Sequence, residues 1–417
     1  MGRLRPAVRP RAPGRGEAVS AATVLYLSPT AQVGGAEHSL LELASHLDAG
    51  SFRPYIACLG SGPLIQSAHQ HDVQVSSIPI PPAFERTSLR GARSGALRLT
   101  AGAMAALPVL RTVRRMCRDT RPAIVHSNGN KTHLMCTPPI VGRAPVLIWH
   151  IRDFLKTGAV ERVFTRTANR VVDAVVANSA AVARHAVGLG FKASRVHTIP
   201  NGIDLRRFAP EGALAPIRSE FGWGKDAPVV GVVGVLAKWK GHATFLRAAH
   251  EVLRHVPDAR FLVVGGQIYR TDGHGEYQSE LAQLVEELGL APFVQFTGYR
   301  TDVPAIMRAL DVVVHASIEP EPFGRVIAEA MACGRPVVST RGGGADEIVA
   351  GTSLLDSAVP RGDAPAMAAA IRNLLENPGR AEADGIDGRR RAVEHFDIRD
   401  HARRMQQLYQ SLLDGGP

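Results

Sequence analysis

At 417 residues the chain is longer than one hydrophobic core normally supports, so we expect two domains of ordinary size. Its hydrophobic content of 45% is that of a globular protein, and no run of about 18 apolar residues predicts a transmembrane helix. The net charge of +11 allows a nucleic acid, a membrane surface or an anionic substrate as partner, but no nucleic-acid motif or aromatic interleaving accompanies it, which argues against a nucleic acid.

The first 20 residues form a basic segment in which arginine alternates with proline and glycine. This segment lacks the apolar stretch of a secretory signal, so it is not expected to be one. We predict that residues 1–20 are a disordered tail. The four cysteines are scattered without a metal-ligand spacing, which favours reduced thiols and a cytoplasmic location.

The first half of the chain alternates apolar runs with amphipathic segments, which predicts parallel strands connected by helices. We expect strands at 23–27, 54–59, 73–75, 123–127, 146–150 and 175–179, helices at about 37–47 and 63–69, and a long loop at 78–95. A helical segment at 96–118, interrupted by Pro108, carries arginines beside leucines and methionines. That pattern is typical either of a sheet-covering helix with a solvated face or of a helix lying on an anionic membrane.

Candidate ligand-binding residues lie at the ends of three of these strands. Gly34 and Gly35 separate the first strand from its helix, where a backbone can approach a phosphate closely, although paired glycines also occur in ordinary turns. His126 and His150 end the fourth and fifth strands, so we expect them to face the same cleft as Gly34.

A second α/β series begins at 229–234 and continues with strands and helices. The strands are expected at 260–264, 294–296, 311–316 and 336–340, and the helices at 278–288, 364–375 and 396–413. Lys238 and Lys240 lie in the loop after the first of these strands, where a lysine either binds a phosphate or is simply exposed. No Asp-x-Asp pair ends a strand, so no metal site for a diphosphate is visible.

The most informative stretch is 318–340. Two prolines enforce an extended loop after a buried strand, and Gly324 allows the turn into a short helix. The N–H groups of Phe323 and Gly324 at this helix N-terminus attract anions or hydroxyl oxygens. Glu321 before the helix and Glu329 inside it add two hydrogen-bond-accepting carboxylates. The combination predicts a site for a phosphate-bearing, hydroxyl-rich ligand.

The motif that runs from Glu321-Pro322-Phe323-Gly324 to Glu329-Ala-Met-Ala-Cys-Gly-Arg-Pro-Val-Val resembles the signature of retaining glycosyltransferases of family 4 (GT4), which have the GT-B fold. Looser matches extend the resemblance over residues 23–413. It implies an α/β fold of two Rossmann-like doubly wound parallel-sheet domains that face each other across a cleft. The acceptor-side domain would span 21–205 and the nucleotide-sugar-binding domain 206–397, with a C-terminal helix at about 398–417 packing back on the first domain.

The resemblance also implies roles for the residues of the motif. Glu329 would hold the ribose of a nucleotide sugar, whereas Glu321 and the amides of Phe323 and Gly324 would hold the sugar hydroxyls. The nucleobase would lie near Gly298, Tyr299 and Arg300.

Lys240, helped by the amide of Gly34 or Gly35, would take the charge of the departing nucleoside diphosphate. The family has a histidine near the donor sugar, and His150 is the candidate that fits it. The amino-acid pattern alone does not decide between the two glycines.

One departure from the family pattern affects the diphosphate site. Where the family has Gly-Arg-Leu, this chain has Val235 in place of the arginine. Losing a guanidinium from such a site costs about 2–5 kcal/mol if nothing replaces it. Lys238, Arg325 and Arg152 are the candidates to supply the missing charge.

These features predict a retaining glycosyltransferase that moves a hexose-type sugar from a nucleotide diphosphate sugar to a glycan, lipid-linked or small-molecule acceptor. No metal or cofactor is expected, and peripheral contact with a membrane through basic residues is part of the prediction.

Two alternatives stay open. One is a non-catalytic sugar-nucleotide-binding or scaffold protein, which Val235 favours. The other is a sugar-nucleotide epimerase of the same fold, which the Glu321 and Glu329 motif disfavours.

Overall fold

The computed structural model describes residues 21–81, 96–133, 135–142, 145–155, 165–166, 168–266 and 274–415. The predicted tail at 1–20 and most of the loop predicted at 78–95 lie outside these residues. The described residues form two separate parallel sheets covered by helices, which confirms the predicted fold class.

The first sheet has seven parallel strands, and most are runs of buried aliphatic residues, as a sheet covered on both faces requires. The strands lie in the order β3-β2-β1-β4-β5-β6-β7, so the strand order reverses between β1 and β4. Their bounds are β1 Ala22–Ser28, β2 Phe52–Leu59, β3 Gln74–Ile78, β4 Ile124–Ser127, β5 Val146–Ile151, β6 Ala174–Ala177 and β7 Val196–Thr198.

The second sheet has six parallel strands in the order β10-β9-β8-β11-β12-β13. Their bounds are β8 Val229–Val233, β9 Arg260–Val264, β10 Val294–Gly298, β11 Val312–His315, β12 Val337–Thr340 and β13 Ala358–Val359. The order reverses between β8 and β11. In doubly wound sheets such a reversal leaves a crevice at the carboxyl ends of the strands, where ligands bind.

The helices of the first half are α1 Gly35–Ser45, α2 Pro63–Gln70, α3 Ala96–Thr120, α4 Asn130–His133, α5 Pro138–Val141 and α6 Ala180–Gly188. Helix α3 continues through Pro108 because Val109, Val113 and Cys117, at helical spacing, are buried against the sheet. Its arginines at 111, 114, 115 and 118 are exposed, and contact with a membrane stays a prediction. No helix among the described residues is both long and apolar enough to cross a bilayer.

The second half contributes nine helices among its described residues, and three short 3-10 turns lie at Ala193–Arg195, Lys238–Lys240 and Ser353–Ser357. The helices are α7 Ile217–Glu220, α8 His242–Leu253, α9 His274–Glu287, α10 Val303–Ala309, α11 Arg325–Ala332, α12 Gly344–Val349, α13 Ala364–Glu376, α14 Pro378–His395 and α15 Ile398–Leu413.

The last helix, α15, returns to the first sheet. Its buried residues Met405, Leu408 and Tyr409 belong to the same apolar cluster as β1 and α1. The Tyr409 hydroxyl lies 3.0 Å from the Tyr26 hydroxyl on β1. The end of the chain therefore completes the core of the first half, although the exact domain borders stay a prediction.

Candidate functional site

A cleft of about 680 Å³ lies between the two sheets and is lined by residues from both halves of the chain. The first half contributes the loop after β1 and the start of α1, and the second contributes the loops after β8 and β11 and the start of α11. Both strand-order reversals therefore open into the same space. All of the predicted site residues line this cleft except His150, Lys238 and Gly298.

Glu321 is the centre of a hydrogen-bonded cluster beyond the end of β11. Its Oε2 accepts hydrogen bonds from Lys240 Nζ at 2.8 Å, His315 Nε2 at 3.0 Å and Ser317 Oγ at 2.9 Å. Its Oε1 accepts none from the described residues. Burial alone raises the pKa of Glu321, but the charge of Lys240 and the bond from His315 outweigh it, so the pKa lies well below its usual range. Glu321 is therefore ionised at neutral pH, with one oxygen left for a ligand.

Two glycines bring this cluster together. Gly241 follows Lys240 with a φ of 70°, and a Cβ atom there would overlap the carbonyl oxygen of Ala316. Only glycine therefore lets the lysine loop pack against the end of β11. Gly324 has a φ of 102° and turns the chain from the Glu321 loop into helix α11.

Arg325 forms a buried ion-pair bridge between the two halves. Its Nη1 donates to Glu42 Oε2 on α1 at 2.9 Å, and its Nη2 donates to Glu329 Oε1 on α11 at 2.9 Å. The three side chains are 8–11% exposed. Burial lowers the pKa of Arg325, but the two carboxylates raise it further, so the side chain stays charged. The sequence places Arg325 and Glu329 in the donor site but gives no sign of Glu42, because the two partners are 283 positions apart.

Gly34 and Gly35, which the sequence leaves equivalent, have different roles at the N-terminus of α1. Gly34 is the N-cap residue, and its N–H donates to Glu37 Oε2 at 3.1 Å. The N–H of Gly35 has no partner among the described residues. Gly35 therefore has the free amide that an anion at this helix end would use.

His150 lies behind the cleft surface. Its side chain is fully buried, and its Nδ1 lies 3.2 Å from His126 Nε2, while His126 Nδ1 lies 2.7 Å from the Tyr409 hydroxyl. Burial, with the charge of Arg152, holds the pKa of His150 well below its usual range. The expectation that both histidines face the cleft is not met, because they project to the side of the sheet that α15 covers, where Tyr409 contacts His126.

Lys238 also lies outside the cleft lining. Its Nζ pairs with Glu280 Oε1 at 2.7 Å and lies 5.8 Å from the centre of the Tyr277 ring. Both partners belong to α9, which packs beside the lysine loop. Of the two lysines in this loop, it is Lys240 that reaches the cleft.

The predicted nucleobase region is only partly in the cleft. Tyr299 lines the cleft and is 60% exposed, which suits stacking against a flat ring. Arg300 lines it too, but its guanidinium is held by Glu220 at 2.6 Å and Asp302 at 2.8 Å. Gly298 ends β10 directly before Tyr299 and does not line the cleft.

Besides Lys240, two residues that hold Glu321 in place were not predicted from the sequence. His315 and Ser317 both contact its carboxylate, and Thr340 Oγ1 donates to the Ser317 carbonyl oxygen at 2.8 Å. A signal was available, since His315 is a polar residue that ends a buried strand next to the strand-order reversal.

Comparison with known proteins identifies the family. Residues 33–207 match the model described as Glycosyltransferase Family 4, and residues 227–377 match the model described as Glycosyl transferases group 1. The chain is 30% identical over 333 residues to alpha-maltose-1-phosphate synthase of Mycolicibacterium smegmatis, an alignment that covers 75% of this chain and 85% of that protein. The chain therefore belongs to glycosyltransferase family 4, as its sequence motif predicts.

Other relatives align over a shorter part. The chain is 35% identical over 234 residues to the GDP-mannose-dependent alpha-(1-6)-phosphatidylinositol monomannoside mannosyltransferase of Mycolicibacterium smegmatis, covering 54% of this chain and 58% of that protein. It is 35% identical over 237 residues to D-inositol 3-phosphate glycosyltransferase of Kineococcus radiotolerans, covering 53% of each. In these alignments the chain spans little more than half the length of its relatives.

Solved structures confirm the GT-B architecture. The crystal structure of HepE from Anabaena in complex with UDP and glucose is similar with a TM-score of 0.78 and 27% identity, covering 94% of this chain and 100% of that one. Sucrose-phosphate synthase from Thermosynechococcus elongatus shares the fold with a TM-score of 0.77 at 20% identity, covering 95% of this chain and 100% of that one.

Proposed function

We propose that this protein is a retaining glycosyltransferase that moves a hexose-type sugar from a nucleotide diphosphate sugar to a glycan, lipid-linked or small-molecule acceptor. The observation that carries the proposal is the ionised Glu321 carboxylate, held by Lys240 at the edge of the cleft with Oε1 unpaired among the described residues. The relatives named above as glycosyltransferases and the similar structure with bound UDP and glucose support it.

In this proposal Glu321 accepts hydrogen bonds from hydroxyls of the transferred sugar. Glu329, on the inner side of α11, accepts hydrogen bonds from the ribose hydroxyls. To do so, its carboxylate either leaves the ion pair with Arg325 or keeps that ion pair while it also binds the ribose. Both carboxylates lie in one short segment around Gly324, so one rigid turn sets their separation.

The departing diphosphate needs positive charge to stabilise it. Lys240 Nζ is the cation beside the sugar site, and the free Gly35 amide at the start of α1 adds a helix N-terminus on the opposite wall. The chain's own residues thus supply positive charge from both sides of the cleft. The metal-free reaction, the retention of configuration and a cytoplasmic or peripheral membrane location belong to the proposal.

Binding and turnover measurements test this function. Thermal unfolding of the full chain is measured with UDP-, GDP- and ADP-sugars, and the donor that stabilises the protein is then supplied with candidate acceptors. A ligand at about 100 times its Kd stabilises a protein by about 2.7 kcal/mol, which is easily detected. We expect one donor class to bind and its sugar to be transferred, or slowly hydrolysed, with release of the nucleoside diphosphate.

The rival functions give different results in the same assay. Tight donor binding without transfer or hydrolysis identifies a scaffold protein, and interconversion of the donor sugar without any acceptor identifies an epimerase. No stabilisation by any nucleotide sugar contradicts the whole proposal.

A further inference from the structure

Five lysine and arginine side chains line the cleft: Arg152, Arg207, Lys240, Arg300 and Arg325. Three of them form ion pairs with carboxylates, Lys240 with Glu321, Arg300 with Glu220 and Asp302, and Arg325 with Glu42 and Glu329. Arg152 and Arg207 have no ion pair with a described residue. Of these two, Arg207 is exposed to solvent, whereas Arg152 is held inside the cleft wall.

Arg152 is fixed by neutral partners only. Its Nε donates to Asn128 Oδ1 at 2.7 Å, and its Nη1 donates to Ser39 Oγ at 3.0 Å and Asn201 Oδ1 at 2.8 Å. The Nη2 atom is buried and donates to no described residue. The guanidinium is therefore oriented, with one edge left unused.

A buried charge without a counter-charge is costly, and proteins rarely keep one without a use. Burial lowers the pKa of Arg152 to about 9, and the nearby Glu37 carboxylate only partly opposes this. The side chain is still positively charged at neutral pH. Arg152 lines the cleft, so an anion bound there would add the negative charge that Glu37 supplies only in part.

The position of Arg152 indicates which anion. Arg152 directly follows β5, and its partner Ser39 lies one turn along α1 from the free amide of Gly35. The helix N-terminus and the guanidinium thus line the same wall. On the opposite wall, after β8, the cleft is lined by the uncharged Val235.

We propose that Arg152 is a phosphate-binding residue of the cleft, which holds the diphosphate of the nucleotide sugar from the first-domain side. The N–H groups of Arg152 without a partner among the described residues are those of Nη2, and a charge-assisted hydrogen bond from them to a phosphate oxygen would add to the one from the Gly35 amide. This inference rests on the proposed donor, because the diphosphate is the anion that such a donor carries.

Titration calorimetry on the full chain tests it, with UDP, GDP and ADP as probes and uridine, guanosine and adenosine as their phosphate-free counterparts. We expect Arg152→Gln to weaken the diphosphate that the wild type binds by about 10- to 100-fold, the range for one charged hydrogen-bonding group. The affinity for the matching nucleoside should stay within about twofold, because the lost contact is to phosphate. Arg53→Gln, a charge loss at an exposed site outside the cleft, is the control and should change neither affinity.

A rescue variant separates phosphate binding from a structural role. Val235→Arg places a guanidinium on the opposite wall, and in the Arg152→Gln background it should restore much of the diphosphate affinity. Arg152→Lys keeps the charge without the oriented Nη2 donor, so we expect a smaller loss than for Arg152→Gln. It also gives a second measurement if the glutamine variant unfolds.

Two results would overturn the inference while leaving the proposed function intact. These are an unchanged diphosphate affinity in Arg152→Gln, and an equal loss for diphosphate and nucleoside. If the wild type binds none of the three diphosphates, the proposed function fails, and this inference fails with it.

Discussion

At the scale of single residues, the proposed chemistry depends most on the contact between Lys240 and Glu321. The two residues are 81 positions apart and meet because β8 and β11 are neighbours in the sheet. Their side chains are 24% and 15% exposed, so water screens this pair less than it screens a surface pair. A diphosphate that enters the cleft gives Lys240 a second anionic partner.

Replacing this lysine should impair the chemical step. We expect Lys240→Met to lower kcat/KM by about 10²- to 10³-fold, mainly through kcat, because the lost charge stabilises the leaving group most in the transition state. Steady-state kinetics with the donor identified by the binding screen measure the effect. Lys225→Met, a 91% exposed lysine of the same half, is the matched control. Equal kcat/KM in the two variants would show that Lys240 has no role in the reaction.

At the scale of elements, α14 shows how glycines can serve packing inside a helix. No element was predicted at 378–395, a stretch whose glycines at 379, 385 and 388 lower helix propensity. The structure has a continuous helix there. A Cβ atom at Gly385 would overlap the Gly334 carbonyl oxygen, and one at Gly388 would press on Met331, so two of these glycines let α14 pack closely on α11. This close packing holds the helix that carries Glu329.

Helix α15 should stabilise the first half despite coming last in the chain. Met405 is fully buried in the apolar cluster with β1 and α1, so we expect Met405→Ala to lower the free energy of unfolding by about 2–5 kcal/mol. Urea denaturation measures the change. Gln407→Ala on the exposed side of the same helix should change it by less than about 0.5 kcal/mol. Equal effects of the two substitutions would mean that α15 does not pack stably on the first sheet.

At the scale of the whole molecule, buried neutral histidines should make stability depend on pH. Burial lowers the pKa of His133 and His401 to about 3, and lowers the pKa of His242 and His38 to about 4. In the unfolded chain histidines bind protons near pH 6.5, so between these values the unfolded state carries more protons than the folded one. The free energy of unfolding should therefore fall as pH drops below about 6.5.

Each such histidine contributes a slope of up to about 1.4 kcal/mol per pH unit. Urea denaturation at pH 7.5, 6.0 and 5.0 measures the summed slope. His242→Gln should make it shallower, whereas His255→Gln at an exposed position should leave it unchanged. A free energy of unfolding that stays constant or rises from pH 7.5 to 5.0 would contradict this prediction.

Much of the molecule follows from sequence-local information. The alternating apolar runs predict the parallel strands, and the segment from Glu321 to Glu329 predicts both the family and the turn that carries two carboxylates. These features are readable because prolines, glycines and apolar periodicity act within a few residues of each other. The role of each site residue in catalysis stays a prediction.

The sequence by itself determined the fold class, the family and the candidate cleft with Glu321, Glu329 and Lys240. Only the tertiary structure decided which charged side chains form ion pairs with one another and which do not. It pairs Lys238 with Glu280 outside the cleft and Arg325 with Glu42 across it, and it leaves Arg152 without a carboxylate partner among the described residues. Such pairings join positions far apart in the chain, and no local pattern encodes which side chain arrives beside another.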